Sequence, residues 1–255
     1  MPVAAGMHYL ASEPPGASGP PLVLVHGAGG TALHWPPPVR ELLGRRVLAV
    51  DLPGHGGSPA PGRRSMAEYA GCLARFLDAL GEPGAVLAGH SMGGGIVLTL
   101  ALEQPRRALG LALVGTGARL RVAPPFLEQT ASAATFPQAI RRLTEWSWGP
   151  AFAPRLGELQ AERMAETTPE VLHGDYLACD GFDALGRLGE IRVPALVICG
   201  SEDRLTPPRY SEYLREHLPR ADLTILPGAG HMVMREDPAR VAAALQGFLA
   251  GLGAA

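Results

Sequence analysis

The 255-residue chain contains no lysine and no asparagine, so all 22 of its Lys+Arg positions are arginine. Without lysine a protein cannot form a lysine Schiff base, cannot hold nucleotide phosphates with a P-loop lysine, and cannot use the lysine of S-x-x-K acylating enzymes. The chain also lacks a large excess of positive or negative charge: its net charge is only -2. That balance does not favour a nucleic-acid partner or a charged membrane surface.

Cysteine is scarce as well. The three cysteines, Cys72, Cys179 and Cys199, are odd in number and widely spaced. This predicts buried thiols in a reducing compartment, with neither a disulfide framework nor a structural zinc site. No apolar run approaches the roughly 18 residues of a transmembrane helix, and the N-terminal segment lacks the basic and apolar regions of a signal peptide. We therefore expect a cytoplasmic protein without membrane association.

Short apolar runs predict six buried strands. The runs are continuous rather than alternating, which is typical of parallel sheets covered by helices on both faces. They lie at 22–25, 46–51, 85–88, 109–114, 195–199 and 223–226. Helical periodicity and capping signals predict helices between them, at 65–80, 92–103, 207–218 and from 238 onward. The alternation predicts an α/β fold with a doubly wound, mostly parallel sheet.

The stretch from residue 118 to 189 breaks this alternation. It contains no strand-like run, and its aromatic residues occur among prolines at helical spacings. We interpret 118–189 as a helical insertion over one edge of the sheet, with 1–117 and 190–255 forming the core domain. Its aromatic residues suggest an apolar substrate, and the candidate substrate-binding residues are Phe126, Phe136, Trp146, Trp148 and Phe152.

Ser91 is the candidate nucleophile, because Gly89 to Gly93 match G-x-S-x-G between a predicted strand and a predicted apolar helix. The sharp turn of a nucleophile elbow places the serine at positive φ and leaves no room for flanking Cβ atoms, which explains the glycines. The alternative is a purely structural serine that caps the helix in a glycine-rich turn.

The candidate general base is His231, which stands in a glycine-rich turn after the last predicted strand. His26 and His90 are interpreted as residues that hold loops by hydrogen bonds, and His34 and His55 as loop or surface residues. After the fifth predicted strand, Glu202 and Asp203 offer carboxylates that could orient the base, and Asp203 is preferred.

The glycine-rich loop after the first strand can supply one backbone N–H of an oxyanion hole. Its candidate donor is Ala28, and the second donor is the N–H of Met92, directly after the nucleophile. The same loop also fits G-x-G-x-x-A, with Asp51 near the position of a ribose-binding acid, so a dinucleotide-dependent oxidoreductase is a second hypothesis. The prolines at 36–38 argue against it, because they interrupt the helix that such a loop must open.

Taken together, these segments resemble the successive signature loops of the α/β-hydrolase family. They are HGAGG at 26–30, DLPGHGGS at 51–58, GHSMGG at 89–94, GSEDRLTP at 200–207 and GAGHMV at 228–233. The resemblance implies a Ser91–Asp203–His231 triad, a site-entrance loop at 51–58 in which Asp51 is structural, and a cap formed by the insertion.

A serine esterase acting on a small to medium apolar carboxylic ester is the leading functional hypothesis. It needs no metal and no organic cofactor. Carbon–carbon bond hydrolases, thioesterases and perhydrolases share the triad and stay open, as does a hydrolase-like ligand receptor. The physiological ester, and whether the protein is a monomer or a homodimer, also stay open.

Overall fold

The computed structural model describes residues 2–42, 44–152 and 167–252. In these ranges the strands form one eight-stranded sheet in the order β1-β2-β4-β3-β5-β6-β7-β8. Strands β1 and β2 are antiparallel to each other, β2 is antiparallel to β4, and every other neighbouring pair is parallel. Their bounds are Val3–Ala4 (β1), Met7–Ser12 (β2), Leu22–Val25 (β3), Val47–Val50 (β4), Ala85–His90 (β5), Ala108–Val114 (β6), Ala195–Gly200 (β7) and Ala221–Leu226 (β8).

Both faces of the central strands are buried, as continuous apolar sequences require. In β3, Val23 and Val25 belong to one core cluster, and Leu22 and Leu24 belong to the cluster on the opposite face. Successive side chains of a strand point to opposite faces, so a run of four apolar residues contributes to both layers.

Helices cover the two faces. Their bounds are Pro37–Arg40 (α1), Met66–Ala79 (α2), Met92–Glu103 (α3), Pro124–Ala131 (α4), Phe136–Ser147 (α5), Pro169–Gly181 (α6), Pro208–His217 (α7), Val233–Glu236 (α8) and Pro238–Leu252 (α9). The capping box predicted for α2 is present, since the Ser65 hydroxyl accepts the Glu68 N–H and the Glu68 carboxylate accepts the Arg64 N–H. Strong local signals of this kind make helix starts predictable.

The predicted fold class is confirmed; several strand ends differ by one or two residues, and two further differences matter for the argument. The N-terminal strands β1 and β2 were not predicted, because this short stretch lacks a clear alternation and only part of β2 is buried. Strand β5 also extends to His90, so it includes the first two residues of the G-x-S-x-G motif. Strand ends depend on tertiary pairing, and the sequence pattern alone does not fix them.

Between residues 118 and 189, the described residues form helices α4, α5 and α6. The two ends of this helical segment meet in an isolated bridge between Arg119 and Asp183, and the Ala184 N–H donates to the Ala118 carbonyl at 2.7 Å. Phe126, Phe136 and Leu172 contribute to a separate small apolar cluster. The helical segment therefore has packing of its own beside the sheet.

Candidate active site

Ser91 lies at the junction of β5 and α3 with φ +53° and ψ −117°. An L-residue rarely adopts this conformation, and holding a side chain there costs about 1–3 kcal/mol. Surrounding hydrogen bonds hold the turn: the Ser91 N–H donates to the Val114 carbonyl at 2.9 Å, and the Thr116 hydroxyl donates to the Ser91 carbonyl at 2.8 Å. Ser91 belongs to the lining of the cavity described below.

The glycines of the motif are required by close backbone approach. A Cβ at Gly89 would overlap the carbonyl of Gly93, and a Cβ at Gly93 would overlap the carbonyl oxygens of Val25 and His26. Helix α3 can therefore begin directly against the end of β3. This matches the steric reason for which the sequence motif places glycines on both sides of Ser91.

His231 and Asp203 form a buried hydrogen-bonded pair after β8 and β7. The His231 Nδ1 lies 2.9 Å from Asp203 Oδ2 and donates to it, so Nε2 is left free to accept a proton. Asp203 also accepts the N–H groups of Leu205 and Thr206 and the Thr206 hydroxyl, at 2.8–2.9 Å. Burial alone would raise the pKa of Asp203, but the charge of His231 and these hydrogen bonds outweigh it and lower that pKa.

Ser91 and His231 line the same cavity. Among the described residues no hydrogen bond joins the Ser91 hydroxyl to the His231 ring. Such contacts are often long in unliganded enzymes and shorten only when substrate binds. The arrangement therefore provides a serine and an imidazole with a free Nε2 at one cavity, with a buried carboxylate bonded to the other nitrogen of the imidazole.

His90 supports the turn that carries His231. Its Nε2 donates to the His231 carbonyl at 3.0 Å, as predicted for a loop-holding residue. Burial, reinforced by the neighbouring His231, lowers the pKa of His90 to about 3. The ring is therefore neutral at neutral pH and adds no competing positive charge beside His231.

His26 holds the loop after β3 in the same manner. Its Nδ1 donates to the Gly27 carbonyl at 2.8 Å, and its Nε2 accepts the Leu52 N–H at 3.0 Å. Burial and the neighbouring His55 lower the pKa of His26 to about 4, so this ring is also neutral. A Cβ at Gly27 would lie 3.1 Å from the Ser91 Cβ, which places this loop directly against the candidate nucleophile.

Of the two candidate oxyanion donors, Ala28 belongs to the described cavity lining and Met92 does not. Met92 is the first residue of α3. Within the part of the chain that the structure describes, the hydrogen bonds use neither the N–H of Ala28 nor that of Met92. An unpaired backbone N–H at a helix start attracts a developing negative charge.

The cavity has a volume of about 350 Å³ and a mainly apolar lining. Of the five predicted substrate-binding residues, Phe126 and Trp146 line it. The other three do not belong to its described lining: Phe136 packs into the cluster of the helical segment, and Trp148 and Phe152 pack against the core beside α9. The prediction fails for these three because helical spacing identifies apolar residues but not the side of a helix that faces a ligand.

Several polar residues have roles that the sequence did not reveal. His34 and His55 were expected in loops or at the surface; His55 does lie in a loop, but both side chains are buried, and His34 lines the cavity. Glu236 accepts the N–H groups of Gly149 and Gly230 at 3.0 Å, directly beside His231. Gly149 lies 87 positions from Glu236, so no local pattern indicates this contact, whereas Thr206 could have been found from its position three residues after Asp203.

Asp51 anchors the loop at 51–58, as the resemblance implied, while the position of this loop at the site entrance stays a prediction. Asp51 is structural: it accepts the N–H groups of Ala32 and Gly57 at 2.6 and 2.9 Å and contacts His8 Nδ1 at 2.5 Å. No residue of this loop belongs to the described lining of the cavity.

The described residues include no cluster of three or more His, Cys, Asp or Glu side chains that could hold a metal ion. Cys72, Cys179 and Cys199 are free thiols and are buried. None of the helices in the described ranges has the length and hydropathy needed to cross a bilayer.

Comparison with known proteins places these features in a wider context. The chain is 34% identical over 247 residues to the dihydrolipoyllysine-residue acetyltransferase component of an acetoin cleaving system of Pseudomonas putida, covering 92% of this chain but only 64% of that protein. It is 31% identical to a protein of Variovorax paradoxus named as a carbamate hydrolase, with 97% of each chain covered. A solved thermophilic esterase superposes with a TM-score of 0.82 at 33% identity, covering 97% of this chain and 99% of the esterase.

Residues 22–244 match the sequence profile of the alpha/beta hydrolase family. That range contains the serine turn, the Asp203 and His231 loops and the helical segment. The chain therefore belongs to the alpha/beta hydrolase family.

Proposed function

We propose that this protein is a serine hydrolase that cleaves a carboxylic ester of a small to medium apolar substrate. The observation that carries the proposal is the strained serine turn in a cavity shared with His231, whose Nδ1 is bonded to the buried Asp203. A fold maintains strain of this kind where it serves a reaction. Similarity to a solved esterase of nearly equal length supports the ester class.

In the proposed reaction, His231 Nε2 removes the Ser91 hydroxyl proton while Oγ attacks the substrate carbonyl carbon. The N–H groups of Ala28 and Met92 stabilise the oxyanion that forms. The imidazolium then donates its proton to the leaving alcohol, and an acyl-enzyme ester remains on Ser91. Water, deprotonated by His231, attacks this ester and releases the carboxylic acid and the free serine.

Asp203 supports this cycle by charge and by orientation. Its hydrogen bond to Nδ1 holds the imidazole in the tautomer whose Nε2 can accept a proton, and its negative charge stabilises the imidazolium. The two N–H groups and the Thr206 hydroxyl fix the carboxylate in turn. Asp203 therefore stays ionised through the cycle.

The helical segment at 118–189 is proposed as the cap over the site. Leu120, Phe126, Leu143 and Trp146 supply apolar surface to the cavity from this segment. Side chains of this kind favour an aliphatic or aromatic acyl group over a strongly polar one. A cavity of about 350 Å³ is at the small end of the range for ligand sites, which fits a short or medium substrate.

The test combines ester kinetics with active-site labelling. Burst kinetics are measured with p-nitrophenyl acetate, butyrate and octanoate, and the labelled residue is identified by mass spectrometry after reaction with a fluorophosphonate. We expect a burst, label on Ser91, and a fall in kcat of several orders of magnitude in a folded Ser91→Ala variant.

Ser147 provides the matched control, because it lines the same cavity but its hydroxyl donates to the Leu143 carbonyl at 2.7 Å. Ser147→Ala should keep both the label and the burst. Label on Ser91 without turnover of esters would redirect the substrate class towards carbamates, thioesters or carbon–carbon bonds, or towards a receptor role. A folded Ser91→Ala variant with near-normal activity would refute the proposed nucleophile.

A further inference from the structure

Asp175 is a fully buried carboxylate in the middle of α6. Its Oδ2 accepts the backbone N–H of Gly29 at 2.8 Å and lies 2.8 Å from His55 Nε2, and its Oδ1 accepts the Tyr69 hydroxyl at 2.5 Å. These partners come from the loop after β3, from the loop at 51–58 and from the start of α2. Burying a carboxylate costs several kcal/mol of folding free energy unless its oxygens are fully paired. The contacts of Asp175 therefore depend on one another.

His55 balances the charge of Asp175. Both of its ring nitrogens face acceptors, because Nδ1 lies 3.1 Å from the Pro53 carbonyl while Nε2 faces the carboxylate. Acceptors beside both nitrogens favour the protonated ring, which can donate from each of them. Burial alone would lower the pKa of His55, but Asp175 outweighs it and raises that pKa. Asp175 and His55 thus form a buried ion pair behind the loop after β3.

Gly29 directly follows the candidate oxyanion donor Ala28. The turn from Gly27 to Gly30 is closed by a Gly30 N–H to Gly27 carbonyl hydrogen bond of 3.0 Å, with Gly29 at φ +62°. The helical segment holds the Gly29 residue from both sides, since its N–H donates to Asp175 and its carbonyl accepts the Thr167 hydroxyl at 3.4 Å. The orientation of this turn sets where the Ala28 N–H points.

We propose that Asp175 is a positioning residue for the oxyanion hole: through Gly29 it fixes the turn that presents the Ala28 N–H, and so couples the packing of α6 to the reaction at Ser91. The inference rests on the proposed function, because it assigns a support to the donor used there. Tyr176, the next residue along α6, lines the cavity. One helix therefore shapes the substrate space and holds the catalytic loop.

Asp175→Ala and Tyr69→Phe form a matched pair. Both remove the Tyr69–Asp175 hydrogen bond, but only Asp175→Ala also removes the support of Gly29. With p-nitrophenyl butyrate we expect Asp175→Ala to lower kcat about 10- to 100-fold with KM within about twofold, since loss of a complete oxyanion donor costs about 10²–10³. Tyr69→Phe should lower the melting temperature but keep kcat within about threefold.

A boronic acid that forms a tetrahedral adduct on the serine provides a second readout. Its Ki should rise in Asp175→Ala by the same factor by which kcat/KM falls, because both depend on the oxyanion donors. If Asp175→Ala does not fold, Asp175→Asn preserves the shape of the side chain. Its loss of kcat should be about 5- to 10-fold, with the same parallel change in Ki.

Hydrogen exchange of the peptide that covers residues 26–31 separates this inference from the proposed function. Faster exchange of this peptide in Asp175→Ala than in Tyr69→Phe would support the positioning role of Asp175. A lack of fluorophosphonate label on Ser91 in the wild-type protein would defeat only the proposed function. Equal exchange in both variants, or equal losses of kcat that follow melting temperature, would overturn the inference and leave Asp175 a purely structural residue.

Discussion

Replacing Ser91 by glycine should remove the strain of the serine turn and stabilise the fold while it abolishes activity. The φ of +53° and ψ of −117° are disfavoured for any residue with a Cβ, at a cost of about 1–3 kcal/mol. Ser91→Ala keeps this strain, and within the described residues it deletes no hydrogen bond of the hydroxyl. Comparing the glycine and alanine variants therefore isolates the backbone strain from loss of the side-chain oxygen.

The expected difference follows from two opposing contributions. Glycine relieves about 1–3 kcal/mol of strain, but its unfolded chain gains freedom worth about 0.5–1 kcal/mol. Ser91→Gly should therefore be more stable than Ser91→Ala by about 1 kcal/mol, which for a chain of this size corresponds to about 2–4 °C in Tm.

Calorimetry and urea unfolding of the two variants provide the assay. Ala5 is the control site: it is the other non-glycine residue with positive φ among those described, at +47° in the exposed turn between β1 and β2. Ala5→Gly should also stabilise the protein, but it should leave activity intact because it lies in a remote turn. Equal stability of Ser91→Gly and Ser91→Ala would refute the argument that the serine turn stores strain.

Gly93→Ala should destabilise the fold by more than about 3 kcal/mol, since its Cβ would overlap two carbonyl oxygens. Gly247→Ala in α9 has open space around the new Cβ and should stabilise the fold by about 0.5–1 kcal/mol. Equal urea midpoints for the two variants would contradict this. Stability should decrease as pH falls below about 6.5, because His90, with a pKa of about 3, stays neutral in the folded state while it protonates in the unfolded state. The contribution of His90 to stability is fully present above its unfolded pKa and decreases by about 1.4 kcal/mol per pH unit between that pKa and about pH 3. The free energy of unfolding should therefore differ less between pH 7.5 and pH 5.0 in His90→Gln than in the wild type. Phe126→Trp should reduce kcat/KM for p-nitrophenyl octanoate more than for acetate, whereas Phe136→Leu, outside the described cavity lining, should keep the chain-length profile; identical profiles for both variants would contradict the assigned lining.

Much of the fold could be predicted because its signals are local. Continuous apolar runs mark the parallel strands, and the capping residues at Ser65 and Pro238 mark helix starts to within a residue. Ser91 could be singled out because its motif stands at a strand–helix junction, and Asp203 and His231 because they follow strands whose carboxyl ends meet at one edge of the sheet. In the structure Ser91 and His231 line one cavity and Asp203 is bonded to His231, while their catalytic roles stay predictions.

The antiparallel start of the sheet and the cavity lining could not be predicted in the same way. Strand β2 pairs with β4, about 40 residues away, and its own sequence is too mixed to indicate a strand. Trp146 and Trp148 are only two positions apart, yet one lines the cavity and the other packs into the core. Trp146 lies in the last turn of α5 and Trp148 just after its end, so the direction of each side chain depends on how the helix end packs in the fold.

What the sequence by itself determined was the layered α/β arrangement and the choice of Ser91, Asp203 and His231 as candidate reactive residues, because helix and strand periodicity and turn sterics act over a few residues. Only the tertiary structure decided which polar groups support them. Asp175 contacts Gly29 across 146 positions and Tyr69 across 106, and Glu236 contacts Gly149 across 87. A buried carboxylate is tolerated only where several donors converge on it, and that convergence exists only after the chain has folded.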